Sequence, residues 1–210
     1  MAVTPAMDTA TESLLVLFAH PAFHKSRVNR VLTRFVKETE GVTFHDLYEA
    51  YPDFHIDVVR EQALLVRHDV IVFHHPFFWY STPAILKEWQ DLVLEHGWAY
   101  GSQGTALRGK TLFNVVTTGG REEAYQRGGH NRFTMRELLA PIDQTANLCG
   151  MEFLPPFVVH GTHRMTAEEM ESHGKDLRRL LVAIRDRRLN REAALGASRL
   201  NADLDALLSA

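Results

Sequence analysis

The sequence predicts an α/β fold of the doubly wound type, in which helices cover both faces of a five-stranded parallel sheet. Two observations support this prediction. Short apolar runs alternate with amphipathic segments along the chain, and five such pairs fit within its 210 residues. Strands that alternate with helices are joined as parallel neighbours by right-handed crossovers. Five units of this kind favour the strand order 2-1-3-4-5.

Most of the predicted strands are short apolar runs. Residues 14–19 are continuously apolar, as expected of a strand that is buried on both faces. The last run is interrupted near its start by Pro155 and Pro156, because proline has no N–H group for the strand ladder. The five predicted strands are residues 14–19, 42–47, 70–73, 111–116 and 153–160.

The predicted helices carry apolar residues at helical spacing. Gly41 stops the first helix, Pro141 predicts a kink or a break in the fourth, and Thr166 with Glu169 is a capping signal for the last. The helices cover approximately residues 28–36, 57–67, 83–93, 135–149 and 166–184, and a weaker leucine pattern follows at residues 200–208. We therefore predict a flexible leader at residues 1–13, one domain at residues 14–187 and a C-terminal helical tail at residues 188–210.

The composition excludes several classes of protein. A net charge of −3 gives no basic face for nucleic acid. The single cysteine, Cys149, cannot form an internal disulfide and lies on an apolar helical stripe, which indicates an inert core residue in a reducing cytoplasm. No apolar run reaches the roughly eighteen residues of a membrane-spanning helix, and the leader lacks the apolar core of a signal peptide. We expect a cytoplasmic protein.

Three loops of unusual composition follow the first, third and fourth strands. These loops are residues 20–27, 75–82 and 117–131. In a doubly wound sheet, ligands bind beyond the carboxyl ends of the strands, at the switch between strands one and three. The three loops should therefore meet at one binding site.

The first loop has the features of a site for a single phosphate. It lacks the G-x-G-x-x-G and Walker patterns of dinucleotide and nucleoside triphosphate sites. Ser26, Arg27 and Asn29 stand at a helix start, where amides and hydroxyls bind anions, and His20 at the strand end is a further donor. The alternative interpretation is that Ser26 is only the N-cap of the helix.

The second and third loops suit a flat ligand. Phe77, Phe78, Trp79 and Tyr80 supply aromatic walls, although a hydrophobic plug or a dimer contact would also explain them. Thr117, Thr118, Gly119 and Gly120 open the third loop, and the glycines allow backbone amides to approach a ligand closely; the alternative is a flexible turn. One phosphate, aromatic walls and open amides together describe flavin mononucleotide (FMN).

Tyr125 and His130 lie later in the third loop, and both side chains can donate hydrogen bonds. Beside the pyrimidine edge of a flavin they would stabilise the negative charge that develops on reduction. As isolated residues, they would be ordinary loop groups.

Other chemistries have weaker signals. The chain has twelve histidines, but it has no H-E-x-x-H motif, so zinc is disfavoured and we predict no metal. A Ser-His-Asp hydrolase would have G-x-S-x-G after a strand, and that motif is absent as well.

Seven short motifs follow one another along the chain. They are AHP at residues 19–21, YPDF at 51–54, HP..WYS.P..LK.W.D at 75–91, HGWAYG at 96–101, GTAL.GK at 104–110, TTGG at 117–120 and LPPF at 154–157. In this order they resemble the motifs of the flavodoxin-like NAD(P)H–quinone oxidoreductases, and most closely those of the ancillary reductases of bacterial glutathione-gated potassium-efflux systems. The resemblance runs from about residue 14 to residue 185. The chain departs from the family at Arg121-Glu122-Glu123, where charges next to TTGG would alter the substrate pocket.

The resemblance implies a flavodoxin-like fold with non-covalent FMN, or FAD in its place. It assigns the phosphate side to His20, Ser26, Arg27, Val28 and Asn29, and the ring side to Phe77, Phe78, Trp79, Tyr80, Thr117, Thr118, Gly119 and Gly120. It places Tyr125 and His130 beside the flavin carbonyl as catalytic residues. It also implies a homodimer with the active site at the interface, and docking on a potassium-efflux membrane protein, hence peripheral attachment at the inner face of the membrane.

The expected activity is a two-electron reduction of quinones or similar flat electrophiles. NAD(P)H and the quinone would use one site in turn, in a ping-pong cycle of hydride transfer through FMN. A regulatory binding protein of a transporter, with incidental turnover, is the alternative. A one-electron flavodoxin carrier is a third reading, which the Tyr125 and His130 pair disfavours.

Overall fold

A parallel β-sheet forms the centre of the protein, in a computed structural model that describes residues 11–208. The strands are β1 (Leu14–Phe18), β2 (Val42–Asp46), β3 (Val70–Pro76), β4 (Thr111–Thr117), β5 (Glu152–Phe153) and β6 (Phe157–Val159). Their order is β2-β1-β3-β4-β5, with β6 also paired to β4. All these pairs are parallel, so the predicted strand order is confirmed.

The fifth position of the sheet is shared by two short strands. Leu112 pairs with Phe153 in β5, and Val115 pairs with Phe157 in β6. Between them run Leu154, Pro155 and Pro156, where the prolines cannot donate ladder hydrogen bonds. The break that the sequence predicts at Pro155-Pro156 is confirmed, and the sheet therefore has six strands in five positions.

Helices cover the sheet. Ser26 caps the first helix, and Thr166 forms a capping box with Glu169 at the start of the longest one. The predicted kink at Pro141 is a break between two helices. The helices are α1 (Arg27–Lys37), α2 (Leu47–Ala50), α3 (Val58–Arg67), α4 (Ala84–Val93), α5 (Met135–Leu138), α6 (Ala140–Leu148), α7 (Ala167–Arg185), α8 (Arg191–Gly196) and α9 (Leu204–Leu208).

Two hydrophobic clusters lie on opposite faces of the sheet. Along β1, Leu15 and Leu17 belong to the cluster that includes residues of α4 and α6, whereas Leu14 and Val16 belong to the cluster of α1 and α7. This alternation follows from the two-residue period of a strand. It also explains why β1 is apolar at every position.

Helices α1 and α7 approach each other closely. A Cβ atom at Gly174 in α7 would lie 2.2 Å from the ring of Phe35 in α1, so only glycine fits this contact. This packing fixes the start of α1 relative to the loop that leads into α7. Both segments contribute to the cleft described below.

Residues 188–208 pack against the domain. Leu200, Leu204 and Leu207 are buried in the cluster of α1 and α7. The amide of Leu200 donates to Pro156 O, and the Asn201 side chain bonds both the amide and the carbonyl of Val158. At the other terminus, the prediction of a flexible leader falls mostly on residues 1–10, which lie outside the described residues. No helix in the described part of the chain is long and apolar enough to cross a membrane.

Candidate functional site

A cleft of about 690 Å³ opens at the carboxyl ends of the strands, where the loops after β1, β3, β4 and β6 meet. Its lining includes Tyr125 and all of the residues that the sequence suggests for cofactor binding. These are His20, residues 26–29, residues 77–80 and residues 117–120. The structure therefore brings the three loops together at the switch between β1 and β3.

The start of α1 forms one end of the cleft. The hydroxyl of Ser26 accepts hydrogen bonds from the amide of Asn29 at 3.2 Å and from its side chain at 3.0 Å. Ser26 is thus an N-cap, as the alternative interpretation holds. Capping does not exclude anion binding, because the first amides of a helix lack partners within the helix and carry its positive dipole end.

The Asn29 side chain is fully occupied within the protein. Its amide nitrogen donates to Ser26 Oγ and to Thr117 Oγ1 at 2.9 Å, and its oxygen accepts from His74 Nε2 at 3.0 Å. Burial lowers the pKa of His74 to about 3, so the ring is neutral and donates through Nε2. Asn29 therefore joins α1, β3 and β4 beneath the cleft and has no side-chain donor left for a ligand.

His20 presents one nitrogen to the cleft. Its Nδ1 accepts from the amide of Ala22 at 3.1 Å, and burial lowers the pKa of the ring, which favours the neutral form. A neutral ring that accepts at Nδ1 carries its proton on Nε2. The side chain is thus a donor of fixed tautomer at the end of β1.

The aromatic loop has one buried and three projecting rings. Phe77 is buried and packs edge-on against Tyr125 and Tyr80. Trp79 is 94% exposed and Phe78 is also exposed. Trp79 and Tyr80 have φ angles of 51° and 62°, in the left-handed region that bulky residues seldom adopt. The alternative of a hydrophobic plug therefore holds for Phe77 alone. The other three rings lie exposed at the mouth of the cleft.

The third loop holds Tyr125 against the TTGG segment. The hydroxyls of Thr118 and Tyr125 share a short hydrogen bond, and the ring of Tyr125 lies so close to Gly120 that a Cβ atom there would be 2.9 Å from it. Tyr80 also donates to Asn131 at 3.2 Å, which ties the aromatic loop to the third loop. The glycine is required here by this close approach.

His130 does not line the cleft. The amide of Asn131 returns to the carbonyl of Ala124, and this turn leaves the His130 side chain exposed. Besides His20, the cleft is lined by the imidazole of His163, in the loop after β6, whose Nε2 would lie 2.3 Å from a Cβ atom at Gly119. Thr162, in the same loop, bonds Thr118 through the backbone.

The sequence analysis missed five lining residues: Ala22, Lys25, Pro76, Thr162 and His163. A signal for the last two was available, because every loop that follows a parallel strand emerges at the same end of the sheet. The loop after the fifth strand therefore belongs with the other three. Within residues 11–208, no cluster of three or more histidine, cysteine, aspartate or glutamate side chains could hold a metal ion.

The fold and the cleft define a flavodoxin-like protein, and the comparison with known families agrees. The chain belongs to the Flavodoxin_2 family, of flavodoxin-like fold, whose model matches residues 12–181. The matched segment contains every strand and every lining residue of the cleft.

Curated relatives are similar over most of their length. The chain is 49% identical over 160 residues to the glutathione-regulated potassium-efflux system ancillary protein KefG of Serratia proteamaculans, which covers 76% of this chain and 87% of that protein. It is 45% identical over 163 residues to the uncharacterized NAD(P)H oxidoreductase YrkL of Bacillus subtilis, covering 78% of this chain and 94% of that protein. The family resemblance inferred from the motifs is thus confirmed.

Solved structures give the same fold. General stress protein 14 of Treponema denticola, in complex with FMN, has a TM-score of 0.78 and 36% identity, covering 82% of this chain and 99% of that chain. An NADPH-quinone reductase from P. pentosaceus has a TM-score of 0.73 and 32% identity, covering 80% and 96%. A structure described as a thermophilic tryptophan halogenase, from Streptomycin violaceusniger, also matches, with a TM-score of 0.78, 45% identity, and coverage of 80% and 98%. These descriptions do not agree on a single reaction.

Proposed function

We propose that this protein is an FMN-dependent NAD(P)H–quinone oxidoreductase. The observation that carries the proposal is the single cleft in which a helix start, aromatic rings and the TTGG segment converge. Similarity to an NAD(P)H oxidoreductase and to an NADPH-quinone reductase supports this reaction over the halogenation named for one neighbour.

The residues of the cleft fit FMN. The start of α1, with Lys25 and Arg27 in the lining, suits one phosphate group. His20 adds a neutral donor through Nε2. Phe77 and Phe78 offer apolar contact for a tricyclic ring, and the backbone of Gly119 and Gly120 lines the cleft where its polar edge would lie. The FMN complex of a similar structure supports FMN rather than FAD as the cofactor.

The cleft residues would bind the reactants and stabilise charge. Bound FMN would supply hydride transfer between NAD(P)H and a quinone, which is chemistry that the side chains of the cleft cannot supply. Tyr125, held by Thr118, would donate a hydrogen bond from its phenol to the charge that develops. His163 lines the same cleft and would be a second donor, in the role that the sequence suggests for His130. Successive use of one cleft by NAD(P)H and quinone gives a ping-pong cycle.

A first experiment tests the cofactor and the reaction. The purified protein should be yellow, the released cofactor should have the mass of FMN, and NAD(P)H should be consumed only when a quinone is added. A protein that binds no flavin after reconstitution would contradict the proposal, and flavin-loaded protein without turnover would contradict the reaction.

The two histidines give a matched pair of variants. His163→Asn should lower kcat by about tenfold to a hundredfold, because a donor to the developing charge is worth that much, while FMN stays bound. His130→Asn should leave kcat within a factor of two, because the side chain is exposed outside the cleft. If His130→Asn lowered kcat and His163→Asn did not, His130 would be the catalytic residue instead.

A second candidate function is that of an ancillary subunit of a membrane transporter. Similarity to KefG, an ancillary protein of a potassium-efflux system, favours it. In that role the protein would be a cytoplasmic homodimer, with the cleft at the dimer interface, that docks at the inner face of the membrane. Tight binding to such a transporter, combined with negligible quinone turnover, would favour this function over the enzyme.

A further inference from the structure

A second pocket of about 530 Å³ adjoins the cleft and shares Gly119 and His163 with it. Its other lining residues are Arg121, Gly161 and Arg164. Neither arginine lines the cleft, and none of the α1 residues lines the second pocket. The second pocket therefore lies apart from the proposed FMN phosphate site, and it meets the cleft at Gly119 and His163.

The charges in this pocket are not neutralised by the protein. Among residues 11–208, the guanidinium groups of Arg121 and Arg164 form no ion pair and no hydrogen bond. Glu122, next to Arg121, is engaged by Arg199 in a salt bridge. Glu123 does not line the pocket. Two free guanidinium groups beside one imidazole attract an anion, and the planar fork of arginine matches the oxygens of a phosphate.

We propose that this pocket binds the 2′-phosphate of NADPH and makes the protein selective for NADPH over NADH. The inference rests on the proposed function, because it assumes a nicotinamide ring in the cleft. The adenosine half of the coenzyme must then extend beyond the cleft, and this pocket adjoins it. NADH carries a neutral hydroxyl where NADPH carries a phosphate monoester, so two unpaired arginines separate the two coenzymes by charge.

The variant Arg121→Gln/Arg164→Gln tests the assignment. Neither side chain has a partner within residues 11–208, so the substitutions should leave folding and FMN content unchanged. The wild-type protein should use NADPH with the higher kcat/KM. In the variant, kcat/KM for NADPH should fall at least about tenfold, as expected for the loss of charge-assisted contacts, whereas the value for NADH should change less than about twofold. Arg178→Gln is the matched control and should behave as wild type, because Arg178 is an exposed arginine of α7 that has no partner among the described residues.

A binding measurement separates this inference from the proposed function. Adenosine 2′,5′-bisphosphate should bind wild-type protein more tightly than 5′-AMP in calorimetry, and the difference should vanish in the double variant. An equal loss for NADPH and NADH, a loss of FMN, or no change in either coenzyme's kcat/KM would overturn the inference while leaving the reductase intact. If neither coenzyme reduces the flavin but the bisphosphate preference persists and depends on the arginines, the proposed function fails and the phosphate pocket stands.

Discussion

At the scale of single residues, Glu61 is a buried carboxylate that depends on its hydrogen-bond partners. It is fully buried, yet its carboxylate accepts hydrogen bonds from His45 Nε2 at 2.9 Å, Tyr51 Oη at 2.6 Å and Trp89 Nε1 at 2.8 Å. Burial alone would raise its pKa, and the bonds from His45, Tyr51 and Trp89 together hold the pKa below its ordinary value. These bonds connect β2, α3, α4 and the loop after α2.

The substitution Glu61→Gln should destabilise the protein by about 2–4 kcal/mol, because it removes a buried charge and leaves one of its hydrogen-bond donors without an acceptor. A glutamine oxygen can serve His45 and Tyr51, but its amide would then face the Trp89 N–H group, donor against donor. Chemical denaturation measures the loss. Trp89→Phe removes the opposing donor, so the double variant should lose less than the sum of the two single changes; strict additivity would contradict this account.

The same carboxylate sets a pH dependence. Because the pKa of Glu61 is lowered by folding, its contribution is present above the unfolded value, near 4.5, and is lost as the pH falls through the lower folded value. The free energy of unfolding of the wild type should therefore decrease below about pH 4.5. Glu61→Gln should show a shallower decrease over this range.

At the scale of elements, the tail is coupled to the loop that carries Tyr125. Arg199 forms a salt bridge with Glu122 in the turn Glu122–Tyr125, and Arg136 in α5 donates to the carbonyls of Leu195 and Ala197. The bond from Arg199 lowers the pKa of Glu122. The tail thus helps to hold the third loop against the cleft.

Arg199→Gln should loosen this loop. We expect a loss of stability of only about 0.5–1 kcal/mol, because the pair is partly exposed, together with a several-fold weaker affinity for FMN. Arg179→Gln breaks another ion pair of the tail, with Asp205, that does not touch the third loop. Flavin titration should therefore distinguish the two variants, and equal affinities in both would show that the tail does not act on the cleft.

The sequence predicts the elements that depend on local patterns. The buried strands, the break at Pro155-Pro156 and the helix break at Pro141 all follow from composition and from the missing N–H of proline. The cleft residues follow from the rule for loops at the carboxyl ends of strands. The saturation of Asn29 could not be predicted, because its partners His74 and Thr117 are 45 and 88 residues away. The exposure of His130 likewise depends on how the third loop turns after Tyr125.

At the scale of the whole molecule, the mouth of the cleft is an apolar surface. Phe78, Trp79 and Tyr80 are exposed there, and Phe133 is exposed in the segment between the third loop and α5. Groups of exposed aromatic side chains are typical of a surface that contacts another protein. We expect this surface to be the interface of the proposed homodimer.

Phe133→Glu should raise the dimer dissociation constant at least about tenfold, because it places a charge in an apolar contact. Phe133 does not line the cleft, so the change acts on association directly. Leu148→Glu, at an exposed leucine of α6, is the control and should leave the dimer intact. Light scattering over a dilution series measures both, and a monomeric wild type would contradict the prediction.

The hydrogen bonds of Leu200 and Asn201 have a consequence for self-association. They occupy backbone groups of residues 156–158, at the outer margin of the sheet. An unprotected margin of this kind is a template for strand addition and amyloid-like growth. Leu200 and Asn201 thus protect this edge of the sheet from pairing with another chain. A truncation that removes them should yield material that precipitates on warming through intermolecular β-structure.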